Sequence, residues 1–184
     1  MSTMAPSVLF TTWNGGGNVA PMLVLASELA MRGGDVVVLG EASLRDRFES
    51  AGVSFAARDA DRLWDPFATA QDVEQACRRV RPALVVVDYM MPAAMCGAEA
   101  ADTAVVALVH TLFGALLEDG APAPISMTGS IGSINEVRAA SGLAPCSSFG
   151  DLLAHADKVL VTCPRAFDLV DAPLPENVRY VAPL

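Results

Sequence analysis

Few side chains in this sequence can move a proton near neutral pH. There are two histidines, His110 and His155, and imidazole is the one side chain whose ordinary titration falls between about pH 5 and 8. His110 stands just beyond the apolar run Thr103–Leu108 (TAVVAL), and Asp88 closes another, Ala83–Val87 (ALVVV). Either could act as a general base if those runs are strands whose carboxyl ends open into one crevice. The plain alternatives are a carboxylate that caps the next helix for Asp88 and simple packing for His110. His155, between Ala154 and Ala156, reads as a surface or core residue. A third feature is the cluster Asn14–Asn18 (NGGGN), since glycines between an apolar run and a helix suggest phosphate binding. The detail opposes this. Gly15-Gly16-Gly17-Asn18-Val19-Ala20-Pro21 matches neither GxGxxG nor GxxxxGK[ST], and Gly40, with Glu41 after it, stands where a ribose-binding acid would close the second strand. A tight turn without a ligand is the competing reading.

The elements that would position these groups alternate regularly. Ser7–Thr12 (SVLFTT) predicts a strand and Pro21–Arg32 a helix, with Leu23, Leu25, Ala26, Leu29 and Ala30 on one side and Gly33-Gly34 as its stop. Asp35–Gly40 (DVVVLG) is a β-branched run typical of a strand buried on both faces. A helix over Ala42–Ala51 and a strand over Val53–Ala57 follow. Arg58–Thr69 is polar and irregular apart from Leu63, Trp64 and Phe67. A helix over Ala70–Arg81, the strand ending at Asp88, a helix over Pro92–Ala101 and the strand ending near His110-Thr111 come next. Leu112–Gly132 is the least regular stretch and reads as a lip over the crevice. Helices over Ser133–Ala140 and Phe149–Ala156 and strands over Lys158–Thr162 and Asn177–Val181 complete the chain. Such alternation predicts an α/β fold, an open and mostly parallel Rossmann-like sheet with helices on both faces. In such sheets ligands bind outside the carboxyl ends of the strands, where Asp88 and His110 fall.

Composition narrows the class. The 184 residues suit one domain, 53% are hydrophobic, and no stretch reaches the roughly 20 uninterrupted apolar residues of a membrane span. Met1–Ser7 carries no basic segment ahead of an apolar one, so a cytoplasmic location is expected. With 21 acidic against 12 basic residues the net charge is -9, and the basic residues do not cluster beyond Arg78, Arg79 and Arg81. Nucleic acid and anionic membrane are therefore unexpected partners. The cysteines Cys77, Cys96, Cys146 and Cys163 match no zinc or redox spacing, so neither a metal nor a disulfide is expected.

Val8–Gly40 resembles the opening of GT-B glycosyltransferases of the UDP-glucosyl/glucuronosyltransferase class, above all bacterial enzymes that decorate polyketide, macrolide and aromatic natural products. The resemblance rests on Gly17-Asn18-Val19-Ala20-Pro21 and Arg32-Gly33-Gly34-Asp35-Val36. It continues in Arg81–Asp88 (RPALVVVD) and in Leu174–Pro183 (LPENVRYVAP), which is similar to the segment before the family's interdomain linker. It implies that residues 1–184 are an amino-terminal acceptor-binding domain. The carboxyl-terminal domain, which binds a UDP- or TDP-sugar as co-substrate, would be missing, as would its His/Asp/Gln-rich motif. The abrupt apolar end, RYVAPL, also suggests a fragment, expected to be inactive alone. The full-length enzyme would transfer a sugar with inversion to a hydrophobic small-molecule acceptor.

In that family a histidine after the first-loop glycine is the base, and Asn18 holds its position here. A carboxamide has no useful basicity near neutral pH. Three readings stay open: Asn18 positions an acceptor that is already reactive; Asp88 or His110 serves as base; or the chain is catalytically weak, an auxiliary partner of a true transferase. The resemblance implies catalytic roles among Asn18, Asp88 and His110, and acceptor contacts from Trp13, Asn14, Gly17, Asn18, Met91, His110, Thr111 and Phe113. Met90 and Met95 would add apolar wall. Leu112, Phe113, Leu116 and Leu117 would close over the acceptor or meet the missing domain. A non-catalytic small-molecule or nucleotide-binding module, and an unrelated α/β enzyme such as a reductase, are the alternatives from other classes.

Overall fold

The computed structural model describes residues 6–117, 130–168 and 173–181. The elements are β1 (Ser7–Thr12), α1 (Val19–Met31), β2 (Asp35–Glu41), α2 (Arg45–Glu49), β3 (Ser54–Arg58), α3 (Pro66–Val80), β4 (Leu84–Asp88), α4 (Pro92–Ala100), β5 (Ala104–Val109), α5 (Ile131–Ala140), α6 (Phe149–Ala154), β6 (Lys158–Val161) and β7 (Val178–Tyr180). The seven strands form one parallel sheet in the order β3-β2-β1-β4-β5-β6-β7. The chain first winds outward from β1 to β3. It then returns through α3 to place β4 on the other side of β1, so the winding reverses between β1 and β4.

Strand side chains alternate between two cores, as the pleat requires. Val8, Phe10, Val36, Val38 and Val86 pack with Val19, Met22, Leu44 and Phe48, under α1 and α2. Leu9, Val85, Val87, Ala107 and Val109 pack on the opposite face with Val73, Cys77, Met95, Ile134 and Leu152, under α3 to α6. Burial on both faces explains why the strands read as near-continuous apolar runs.

Several boundaries differ from the sequence-based expectation. Helix α3 starts at Pro66 rather than Ala70, because Asp65 caps it, Oδ1 accepting from Phe67 N (2.9 Å) and Ala68 N (3.2 Å), with proline in the first turn. It ends at Val80 rather than Arg81, which caps it in the left-handed conformation at φ 51° before Pro82. The helix expected over Ala42–Ala51 is a 3-10 turn at Ala42–Leu44 followed by the short α2. Helix α1 begins two residues early and is centred inward on Met22 and Ala26, with Leu23, Leu25 and Leu29 only partly covered. Strand β2 extends one residue past Gly40, so Glu41 does close it. Of the expected lip, residues 118–129 lie outside the described set, a 3-10 turn occupies Gly114–Leu116, and α5 claims Ile131 and Gly132.

Candidate active site

The turn from β1 to α1 brings Asn18 back against the sheet. Gly16 takes φ +85°, a conformation that disfavours side chains, and Gly15 lies under the Trp13 ring, where a Cβ would sit 2.2 Å from the indole. The chain reverses tightly enough for Asn18, at the helix start, to turn its side chain inward, 2% exposed. Its Oδ1 accepts from Gly15 N (3.1 Å). Its Nδ2 donates to Asp88 Oδ2 (2.7 Å), Trp13 O (2.8 Å) and Thr12 Oγ1 (3.3 Å). Both ends of the amide are thus engaged within the protein.

Asp88 is fully buried at the end of β4, beside β1 at the point where the winding reverses. Besides Asn18, it accepts from Met90 N (3.0 Å) and faces His110 Nε2 at 3.2 Å through Oδ1. An ionised carboxylate can only accept, so this geometry assigns the proton of a neutral His110 to Nε2 and leaves the lone pair on Nδ1. Among the described residues Nδ1 has no hydrogen-bond partner. The His110 side chain is 15% exposed, and Tyr89 packs edge-on against its ring at 4.7 Å. Burial and the adjacent Asp88 charge push the Tyr89 hydroxyl up to about 12. A buried aspartate holding a histidine by one nitrogen is an arrangement able to take and return a proton.

An apolar crevice adjoins this cluster. Trp13, Leu63, Trp64, Pro66, Thr69, Met90 and Met91 line it, and the two indoles meet edge to face at 5.6 Å. It is nearly shut, with a cavity volume of about 10 Å³. A wider cleft of about 1000 Å³ lies by Lys158, Arg165 and Tyr180, away from the histidine and aspartate. Another pocket, of about 260 Å³, holds His155 and Glu99 beside Met95 and Val105, but the chemistry favours the small crevice, because Trp13 and Met90 join it to Asn18 and the buried Asp88 at the carboxyl edge of the sheet.

Of the sequence-derived site residues, the structure brings together Asn18, Asp88, His110, Trp13, Met91 and Thr111. Met91 is buried and receives Thr11 Oγ1 at 3.9 Å. Asn14 turns the other way, its N–H to Glu41 Oε2 (3.2 Å) and Nδ2 to Ser43 Oγ (3.2 Å). Gly17 is exposed. Phe113 does not stand at the lip surface: it is 1% exposed and part of the core, whereas Leu112 and Leu117 are exposed. Met95 is likewise a core residue of α4. Asp168 was not foreseen. It fixes the start of the lip by accepting from Phe113 N (2.6 Å), Gly114 N (2.8 Å) and the Tyr180 hydroxyl (2.5 Å). Nor was the meeting of Trp64 with Trp13, although an indole in the polar stretch 58–69 was a usable signal. His155 is half exposed beside Glu99 Oε1 at 3.3 Å. The four cysteines are free, three of them buried. Among the described residues no group of metal-ligating side chains converges, and no helix is long and apolar enough to cross a membrane.

No family model matches the sequence, and no curated protein matches it. Solved structures do. The calicheamicin glycosyltransferase CalG4 is 21% identical over 98% of this chain and 52% of its own, with a TM-score of 0.76. The glycotransferase of kitacinnamycin is 16% identical over 98% and 52%, also at 0.76. The spinosyn forosaminyltransferase SpnP is 17% identical over 98% and 51%, at 0.71. The fold of this chain is therefore shared with about half of each of these glycosyltransferases. The chain spans about half the length of these structures.

Proposed function

We propose that residues 1–184 form the acceptor-binding half of a GT-B-like glycosyltransferase whose donor-binding half lies outside them. The single observation that carries this reading is the Asn18–Asp88–His110 cluster at the carboxyl edge of a fold shared with glycosyltransferases. The co-substrate is a UDP- or TDP-sugar held by the other half, and the acceptor is a hydrophobic small molecule admitted beside Trp13 and Met91.

His110 is the general base, oriented by Asp88, and Asn18 is the strut that holds Asp88. As the acceptor oxygen bonds to the anomeric carbon, its proton passes to His110 Nδ1. The bond from that carbon to the diphosphate oxygen breaks, and the nucleotide diphosphate departs with the electron pair. Attack opposite the leaving group inverts the anomeric centre. The imidazolium so formed is stabilised by the Asp88 charge at 3.2 Å. Engagement of both ends of the Asn18 amide supports His110 over Asn18 for contact with the acceptor.

Calorimetric titration of the chain with UDP, TDP and hydrophobic aglycones tests the division of labour. Aglycone binding without nucleotide binding is expected, and tight nucleotide binding by this chain overturns it. In a transfer assay of the whole enzyme, His110→Gln lowers kcat about 10²- to 10⁴-fold. An unchanged kcat removes His110 from the mechanism.

A further inference from the structure

Trp13 carries a second, unused polar group. Its indole Nε1 is shut off from solvent and has no hydrogen-bond partner among the described residues, although a buried donor is ordinarily satisfied because leaving it bare is costly. The residue lines the crevice, and its own carbonyl accepts from Asn18 Nδ2, which ties the indole to the strut of the catalytic cluster. Gly15 is what allows the ring to lie where it does, since any Cβ there would strike it.

Opposite stands Trp64, 52% exposed, from the segment between β3 and α3. The remaining lining is Leu63, Pro66, Met90 and Met91, all apolar, with Thr69. Thr69 cannot answer the indole for free: its Oγ1 already accepts from Arg58 Nη2 (2.8 Å) and faces Leu63 O (3.4 Å). The space of about 10 Å³ between these walls holds no more than a water molecule, so a ligand enters only by parting the two indoles.

We infer that Trp13 and Trp64 form an aromatic clamp that selects a planar, conjugated acceptor carrying a carbonyl oxygen, which receives the Trp13 N–H. The inference rests on the acceptor-half reading above and names the acceptor's chemical class. With the indoles inclined at 71°, the exposed Trp64 and the flexible methionines favour a flat ring system by stacking on Trp64 and by sulfur–aromatic contact, with the edge of that ring turned to Trp13. The orphan donor adds a requirement for one acceptor oxygen at a fixed place, a discrimination that apolar walls alone do not provide.

The chain contains only two tryptophans, and both line this crevice, so tryptophan emission, excited selectively over tyrosine, reports on it. Titration with alizarin (a dihydroxyanthraquinone), an anthrol (the same ring system without carbonyls) and a saturated macrolactone tests the clamp. Alizarin is expected to quench the emission saturably and bind most tightly. Trp64→Ala weakens both planar probes roughly tenfold, while Trp64→Phe, which keeps a stacking ring, restores most of the loss. Trp13→Phe keeps a ring and removes the donor, so alizarin weakens roughly 3- to 10-fold and the anthrol less than about twofold. Circular dichroism of each variant verifies that it is folded. A macrolactone binding as tightly as alizarin, no response to either planar probe, or equal losses for alizarin and anthrol in Trp13→Phe overturns the clamp. Macrolactone binding with silent planar probes does so while leaving the acceptor-half reading in place; UDP or TDP binding by the chain defeats that reading itself.

Discussion

Replacement of Asn18 separates a strut from a catalytic group. Asn18→Ala removes the bonds from Nδ2 to Asp88, Trp13 and Thr12 and the bond from Gly15 N to Oδ1. The bond to Asp88 is the largest of these, because it joins a donor to a buried carboxylate at 2.7 Å. Hydrogen bonds to charged groups contribute about 1.5–3 kcal/mol, and the orphaned partners add to the loss, so a total of about 3 kcal/mol is expected. For a chain of this size each kcal/mol moves Tm by about 2–4 °C, so the drop is on the order of 10 °C. Asn18→Asp preserves the shape but sets one carboxylate against another. That pair keeps a shared proton in the folded chain to higher pH than separate carboxylates do in the unfolded chain. The folded state then binds more protons, and stability falls as pH rises through the pair's titration and recovers as pH falls. Thermal unfolding of both variants between about pH 4 and 8 reads the effect. An Asn18→Ala Tm within about 3 °C of the parent, or an Asn18→Asp variant that weakens on acidification, refutes the strut.

Two further outcomes follow from packing and burial. A Cβ at Gly97 on α4 would lie 2.2 Å from the backbone oxygen of Ala70 on α3. Gly97→Ala must therefore part the two helices, with an expected loss of about 2–4 kcal/mol in denaturant unfolding; an unchanged midpoint contradicts the close approach. Burial, with the neighbouring Asp88 charge, pushes Tyr89 up to about 12, and burial pushes Cys96 up to about 11. Both groups are raised, so their contribution is intact below the ordinary thiol range near pH 9 and is lost as pH climbs from about 9 to 12. Flat stability across that range, or Tyr89 ionising in the folded chain near its ordinary value of about 10, counts against the burial.

The legible part of the site was its addresses. Asp88 and His110 each follow an apolar run, and in a parallel sheet the end of such a run is the carboxyl edge by construction. The glycines at 15–17 announced a tight reversal, and the polar Asn18 directly after them raised the question of the base. Phe113 shows where this stops: an apolar residue in an irregular stretch suits a lip or a core equally well, and packing chose the core. The start of α3 was missed for another reason. Asp65-Pro66 is a cap that a periodicity count beginning at Ala70 overlooks.

Local chemistry along the chain therefore determined the strands, most of the helices, the parallel α/β class and the edge on which the polar groups stand. Which of those groups touch was decided only by the order of the strands. Return of the chain through α3 puts β4 beside β1, so residues 18 and 88 meet although 70 positions separate them. The same packing bends the segment after β3 back to lay Trp64 against Trp13. Such pairings depend on burying both sheet faces at once, a condition on the whole chain that no local window of sequence contains.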